Sequence, residues 1–318
     1  MNTHVEPDLS VVVPVYNEAA GLYKLYVPLK AVLDSLDMRY ELIFVDDGST
    51  DGSAQVMADM QRADGTVRVL TFTRNFGKEM ATTAGLHNAR GQAIITLDAD
   101  GQHPVDRIPA FVARWQRGAK LVVGRRSGRR MGVGKRLSTG LFYSVFRRLT
   151  GIRVDSNTSD FRLIDKDIQT QFNKLTEHNR MTKALIDWLG YPREYVSYHE
   201  NARQHGAATY SYRKLFKLAI DSAVSLSISP LYITAYAGAV VLPLATLLGL
   251  GMIVNYFLRD PLHLHATGSA YIMVLVLFLV GILMVSQGII GLYLSHIHSE
   301  TQNRPLYVID NSPMRGKA

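Results

Sequence analysis

Ala93-Ile-Ile-Thr-Leu97 runs straight into Asp98-Ala-Asp-Gly-Gln-His103, and this junction decides the fold. The apolar run reads as a buried strand, and the acidic, glycine-containing run after it as a turn at the strand's carboxyl end. The same arrangement occurs twice upstream. Leu9-Ser-Val-Val-Val-Pro-Val15 leads into Tyr16, Asn17 and Glu18, and Tyr40–Val45 leads into Asp46-Asp-Gly-Ser-Thr-Asp-Gly52. Val67–Phe72 and Lys120–Val123 bring the predicted strands to at least five. Between them, Ala19–Leu36 carries Leu22, Leu25, Leu29, Val32 and Leu33 at helical spacing, and Ser53–Gln61 and Lys78–Asn88 also read as helices. Strands alternating with helices predict an α/β domain with a mostly parallel, Rossmann-like sheet covered on both faces. Such sheets bind ligands at the carboxyl ends of their strands, where this chain places its carboxylates.

One acidic turn is ordinary turn or capping chemistry; three at successive strand ends point to a site. Carboxylates one residue apart, as in Asp98-x-Asp100, can hold a divalent ion together with a ribose or base. Hard oxygen ligands suit Mg²⁺ or Mn²⁺, which bridge to a diphosphate and keep other positions for water. Gln102 offers a neutral oxygen two residues further on. A metal there would screen charge building on a departing nucleoside diphosphate.

The charge distribution indicates the partner. The chain has 318 residues, with 35 basic against 27 acidic, a formal +8. Much of the excess lies in Arg125, Arg126, Arg129, Arg130, Lys135 and Arg136, and again in Arg203, Arg213, Lys214 and Lys217. The second group runs into an apolar region, which favours lipid headgroups and phosphates over nucleic acid, for which no motif is present. The absence of cysteine excludes disulfides, thiolate catalysis and Cys-based metal sites. Met1–Asp8 has no signal-peptide pattern, so the catalytic portion is expected to stay cytoplasmic.

Tyr232–Leu258 and Ala270–Ser295 contain no charged residue, and each exceeds the roughly 20 apolar residues needed to cross a bilayer. Basic residues flank the outer ends of the pair, predicting a transmembrane hairpin with both termini cytoplasmic. Leu215, Leu218, Ala219, Ser222 and Leu226 share a helical face beside Arg213, Lys214 and Lys217, the pattern of an interfacial amphipathic helix. The expected organisation is a catalytic domain over 1–209, an amphipathic helix over 210–230, two spans within 231–295 (about 232–258 and 270–294) and a cytoplasmic tail over 296–318.

Val11-Val-Val-Pro-Val-Tyr-Asn-Glu18, Phe44-Val-Asp-Asp-Gly-Ser-Thr-Asp-Gly52, Arg74-Asn-Phe-Gly-Lys78 and Asp98-Ala-Asp-Gly-Gln-His103 resemble the family 2 glycosyltransferases of the GT-A fold. More narrowly, the chain resembles the polyprenyl-phosphate glycosyltransferases: the bacterial GtrB and ArnC types, related to dolichyl-phosphate mannose synthases. Ser159-Asp-Phe-Arg-Leu163, Glu177-His-Asn-Arg180, the region Arg203-x-x-Gly206 and Arg304-Pro-Leu-Tyr-Val308 extend the resemblance over nearly the whole chain. It implies inverting transfer of a sugar from a UDP- or GDP-linked donor to a polyprenyl phosphate, undecaprenyl phosphate being the expected carrier. The setting it implies is the cytoplasmic face of a bacterial inner membrane, with the product serving envelope glycan modification and the enzyme a homo-oligomer, a tetramer by resemblance.

Carried over by position, the resemblance implies nucleotide-sugar contacts at Pro14, Tyr16, Glu18, Asp46 or Asp47, Asp98, Ala99 and Asp100, and a metal (Mg²⁺ or Mn²⁺) at Asp100 and Gln102. Arg125, Arg129, Lys135, Arg162 and Arg203 would approach the phosphates of donor or acceptor. Asp100, Asp160 and Arg125 form the expected catalytic group, with Asp160 a positioning residue or weak base. The family commonly has Gly where this chain has Ser159, and Gly-x-Ser-Lys-Tyr where it has Gly206-Ala-Ala-Thr-Tyr210. Three rivals compete. A processive polysaccharide synthase would need a Gln-x-x-Arg-Trp motif and more spans, a non-catalytic membrane scaffold would not need Asp98, Asp100 and Gln102, and a flippase would need a pathway that two spans scarcely offer.

Overall fold

The computed structural model describes residues 6–127, 158–178, 180–199 and 268–310, with six isolated helical positions between Tyr236 and Leu250. The chain forms two compact units, one holding the sheet and residues 304–310, the other the C-terminal apolar helix.

In the first unit, β1 (Leu9–Val15), β2 (Tyr40–Asp46), β3 (Val67–Thr71), β4 (Ala93–Thr96), β5 (Leu121–Arg126), β6 (Thr158–Asp165) and β7 (Arg193–Tyr198) form one sheet in the order β3-β2-β1-β4-β6-β5-β7. β6 alone runs antiparallel, between β4 and β5. The helices are α1 (Ala19–Asp34), α2 (Ser53–Ala63), α3 (Lys78–Asn88), α4 (Ile108–Gln116), α5 (Lys166–Phe172) and α6 (Thr182–Trp188). The five expected strands are present: β1 and α3 have their expected bounds, and the other four strands have at least one end shifted by one to three residues. β6 and β7 were not legible as strands. β6 was visible only as a motif, and β7, Arg-Glu-Tyr-Val-Ser-Tyr, has neither an apolar run nor a clean alternation and lies at an edge of the sheet.

β1 is buried along its whole length because the sheet is covered on both faces. Its side chains alternate between two cores. Leu9, Val11, Val13 and Val15 pack with Leu22, Leu25, Leu29 and Leu33 of α1, Met57 and Met60 of α2, and Phe111 of α4. Val12 lies in the opposite core with Ala81 and Ala84 of α3, Ile168 and Phe172 of α5, and Leu185 and Ile186 of α6. The alternation of β6 sets a functional direction. Phe161 and Leu163 join the first core while Ile164 joins the second, so Asp160 and Arg162 face the side of α3 and α6.

In the second unit, α7 (Gly268–Thr301) is one 34-residue helix, about 50 Å long at 1.5 Å per residue. It outruns the expected span, which ended near residue 294. Its window Phe278–Ser295 has mean hydropathy 1.9 and is unburied, so by length and composition it can cross a membrane. The expected first span, the amphipathic helix over 210–230 and the hairpin's linker lie outside the described residues, apart from the six helical positions. Arg129, Lys135 and Arg203 lie outside them as well.

Candidate active site

The loops after β1 and β2 are laced together at the carboxyl edge of the sheet. Asn17, at φ 56°, accepts from the Thr50 amide at 2.8 Å, and its own amide donates to Ser49 Oγ at 3.1 Å. The Glu18 amide donates to Ser53 Oγ at 2.9 Å, and Asp51 accepts from the Ala19 amide at the start of α1 at 3.1 Å. Much of the acidic run Asp46–Asp51 therefore shapes the turn. Asp46 is buried and accepts from the Ser49 amide at 2.9 Å.

Asp47 reaches sideways. Its carboxylate accepts from the Phe76 amide at 2.7 Å and the Gly77 amide at 3.0 Å, holding the loop between β3 and α3 against the turn. Burial pushes its carboxyl above the ordinary value, and the Phe76 and Gly77 amides counteract that in part. Gly48 makes the approach possible. It sits at φ +69°, and a Cβ there would lie 2.5 Å from the backbone carbonyl carbon of Arg74.

A cleft of about 290 Å³ opens above these loops. It is lined by Pro14, Val15, Tyr16, Glu18, Asp47, Asn75, Gly77, Lys78, Ala81, Asp98, Ala99 and Asp100. Seven expected nucleotide-sugar contacts thus share one cavity: Pro14, Tyr16, Glu18, Asp47, Asp98, Ala99 and Asp100. Asp46, Gln102, Arg125, Asp160 and Arg162 do not line it. Four carboxylates against one ammonium give the lining a formal charge of −3.

That ammonium belongs to Lys78, a residue that sequence reasoning quoted without a role. Its Nζ lies 2.7 Å from Asp98 Oδ1 and 2.8 Å from Asp160 Oδ2. Burial opposes the charge, but Asp98 and Asp160 outweigh it and hold the Lys78 pKa above the ordinary lysine value. For Asp160, burial is likewise outweighed, by Lys78 and then Lys183, and its carboxyl is held well below the usual carboxylate range. Thr96 Oγ1 donates to the Asp160 backbone carbonyl at 2.6 Å, tying β6 to β4 beside the site. A signal for Lys78 was present in the sequence: a cation opening a helix opposes the helix dipole and calls for compensating carboxylates.

Asp98 and Asp100 are braced from behind. The Asp98 amide donates to His103 Nδ1 at 3.0 Å, which leaves the ring's proton on Nε2. His103 is buried and stacks on Phe161, burial lowers its pKa, and it props the turn through the Asp98 amide. Gly101, at φ +73°, turns the chain so that the Gln102 amide donates to Asp100 Oδ1 at 3.1 Å. No group of three or more His, Asp or Glu side chains that could hold a metal occurs among the described residues. Asp100, which lines the anionic cleft, and the Gln102 carboxamide, two residues on, would offer a hard-oxygen donor set. That set fits Mg²⁺ or Mn²⁺, which complete their shells with water and substrate phosphate.

Two expected phosphate contacts have other partners. Arg162 is buried and pairs with Asp187 at 2.8 Å, its Nε donating to the Ser159 carbonyl at 3.2 Å. Arg125 lies on β5 with its guanidinium 5.7 Å from the Tyr195 ring centroid.

Comparison with known proteins gives the family and the fold. The chain is 35% identical over 306 residues to an uncharacterized glycosyltransferase of Synechocystis sp., covering 96% of this chain and 95% of that protein. It is 33% identical over 306 residues to a prophage-derived bactoprenol glucosyl transferase of Shigella flexneri, covering 96% and 98%. Among solved structures, mannosyl-3-phosphoglycerate synthase from Rubrobacter xylanophilus superposes with TM-score 0.50 at 18% identity, covering 69% of this chain and 73% of that one. Glucosyl-3-phosphoglycerate synthase from Mycobacterium tuberculosis, with Mn²⁺, UDP and phosphoglyceric acid, also gives 0.50, at 19% identity over 69% and 77%. These neighbours share the GT-A-like sheet. Residues 10–173 match glycosyl transferase family 2, and with relatives above 30% identity along nearly its full length the chain belongs to that family of glycosyltransferases.

Proposed function

We propose that the chain transfers a sugar from a nucleotide-sugar to a polyprenyl phosphate at a membrane surface. The observation that carries this is one cleft at the strand ends, uniting Tyr16, Glu18, Asp47, Lys78, Asp98 and Asp100, in a chain that also has an exposed apolar helix. The acceptor class comes from the relatives called bactoprenol glucosyl transferases, which align with almost all of this chain.

In this reading the nucleoside occupies the cleft beside Pro14, Tyr16, Glu18 and Asp47, with Asp98 near its ribose. Asp100 and Gln102 hold Mg²⁺ or Mn²⁺. When bound, the metal screens the diphosphate and stabilises the charge it gains on leaving. A cation held there would offset part of the cleft's negative charge, beside the ammonium of Lys78. The M. tuberculosis neighbour solved with UDP and Mn²⁺ makes UDP-sugars with Mn²⁺ a sensible first choice.

The acceptor phosphate is already ionised near neutral pH, so the attacking oxygen needs no strong base. Asp160 fits that requirement. Held deprotonated by Lys78, it is a weak proton acceptor and acts by fixing Lys78 beside the donor. Catalysis then rests on positioning and charge stabilisation, and a single displacement inverts the anomeric centre. The apolar helix anchors the enzyme in the bacterial inner membrane, as the second member of a hairpin with both termini cytoplasmic. Arg125, Arg129, Lys135 and Arg203 face the lipid phosphate, and the working enzyme is a homo-oligomer.

The test uses full-length protein in detergent with undecaprenyl phosphate, Mg²⁺ or Mn²⁺, and labelled UDP-glucose, UDP-galactose, UDP-N-acetylglucosamine and GDP-mannose. Metal-dependent movement of one label into the lipid phase is expected. Labels that stay in the aqueous phase with every donor would sink the proposal.

A further inference from the structure

After α7 ends at Thr301, the chain returns to the sheet: residues 304–310 belong to the same compact unit as the catalytic domain. The Thr73 amide donates to the Val308 carbonyl at 3.1 Å, and the Asp310 amide to the Thr71 carbonyl at 2.7 Å. Phe72 and Ile309 thus form an antiparallel bridge at the outer edge of the sheet. The Tyr307 ring lies 5.2 Å from Phe72 at 14°, a stacked pair, and its hydroxyl is 3.1 Å from His87 Nδ1. Further back, His178 Nε2 lies 2.6 Å from the Arg304 carbonyl.

The bridged stretch is the root of the loop that floors the cleft. Phe72 donates its amide to the Asp46 carbonyl at 2.9 Å, and its ring meets Phe76 edge-on at 5.5 Å. Phe76 and Gly77 are the residues whose amides bind Asp47, and Asn75, Gly77 and Lys78 line the cleft. The segment 72–77 is therefore gripped from both sides. Asp46 and Asp47 of the catalytic turn hold its inner side, and Val308 with the Tyr307 ring holds its outer side. A strand that merely covers an exposed sheet edge would need only the backbone bridge; the aromatic stack running from Tyr307 through Phe72 to Phe76 adds a rigid link to the loop itself.

We infer that Tyr307 is a positioning residue for the nucleotide-sugar site, acting through Phe72 and Phe76 to hold the Phe76–Lys78 amides and ammonium in place. The inference rests on the proposed function for its catalytic consequence, while its physical content can be measured separately. Hydrogen exchange on the full-length protein in detergent reads the loop directly. In Tyr307→Ala, the Phe76 and Gly77 amides should exchange about tenfold or more faster while those of Val11–Val13 keep their protection. Tyr307→Phe keeps the stack and should restore protection. With the donor that the wild type uses, Tyr307→Ala should raise the donor KM about tenfold with a smaller change in kcat, and Tyr307→Phe should return it towards wild type. Should Tyr307→Ala not fold, Tyr307→Leu keeps an apolar wedge and carries the same readouts. Unchanged protection at Phe76 and Gly77, or loss confined to β3, would overturn the inference by reducing the tail to an edge cover. A wild type that uses no nucleotide-sugar would refute the proposed function, and the exchange result would still decide the role of Tyr307.

Discussion

Lys78 Nζ meets Asp160 Oδ2 at 2.8 Å across 82 residues of chain, joining the first turn of α3 to the antiparallel strand β6. With Asp98 on its other side at 2.7 Å, Lys78 is the electrostatic hinge between the donor cleft and the β6 motif.

Replacing that ammonium by an apolar chain of similar length, Lys78→Met, should lower kcat about 100-fold, the usual scale for losing one preorganised charge. The pH profile supplies the diagnostic. A carboxyl held low by a cation stays charged as pH falls; without the cation, the Asp160 pKa rises and the acid limb of activity moves to higher pH. A limb that does not move would exclude a proton-accepting role for Asp160 and confine it to fixing Lys78.

Asp100→Ala should abolish metal-dependent transfer while leaving the thermal unfolding midpoint near wild type, because Asp100 lines the cleft and belongs to neither apolar core. Titrating Mn²⁺ into nucleotide-bound protein by calorimetry checks the assignment. Unaltered Mn²⁺ affinity in the variant would refute it.

Arg162→Leu removes the 2.8 Å partner of buried Asp187 and leaves it the longer 3.5 Å contact with Arg193, so the cost should reach up to about 3–5 kcal/mol, the scale for breaking a buried pair. Arg162→Leu/Asp187→Leu should recover most of that stability in denaturant unfolding. The double variant should also keep the wild-type KM for polyprenyl phosphate; a large increase would restore Arg162 to the acceptor site.

Burial, and then Arg180, lower the His87 pKa to about 4 from the ordinary 6.5. The unfolded chain takes up a proton below pH 6.5 that the folded protein refuses until about pH 4. Stability from this source is therefore complete above pH 6.5 and is lost as pH falls through that window. Scanning the thermal midpoint from pH 7.5 to pH 4 should show a steeper fall in wild type than in His87→Gln. Identical slopes would show that His87 titrates normally.

Much of the fold was legible because apolar periodicity is local. β1, β2 and α3 announce themselves through their own side chains, and the carboxylates of Asp47, Asp98 and Asp100 follow directly from buried strands. β6 and β7 were not legible, since a strand's place beside β4 or β5 depends on pairing partners far away in sequence. The role assigned to Arg162 shows the same limit. The motif marks Arg162 as a candidate phosphate contact, and only the fold shows Asp187 opposite its guanidinium.

The sequence by itself determined the alternation of strands and helices, the edge of the sheet that carries acid, and the long apolar run of α7, all properties of neighbouring residues. Only the tertiary structure decided which acidic residues face the cleft and which are consumed as turn braces. It alone brought Lys78 between Asp98 and Asp160, and Tyr307 onto Phe72. Those relations are set by packing between distant segments, and the spacing of residues along one segment carries no record of them.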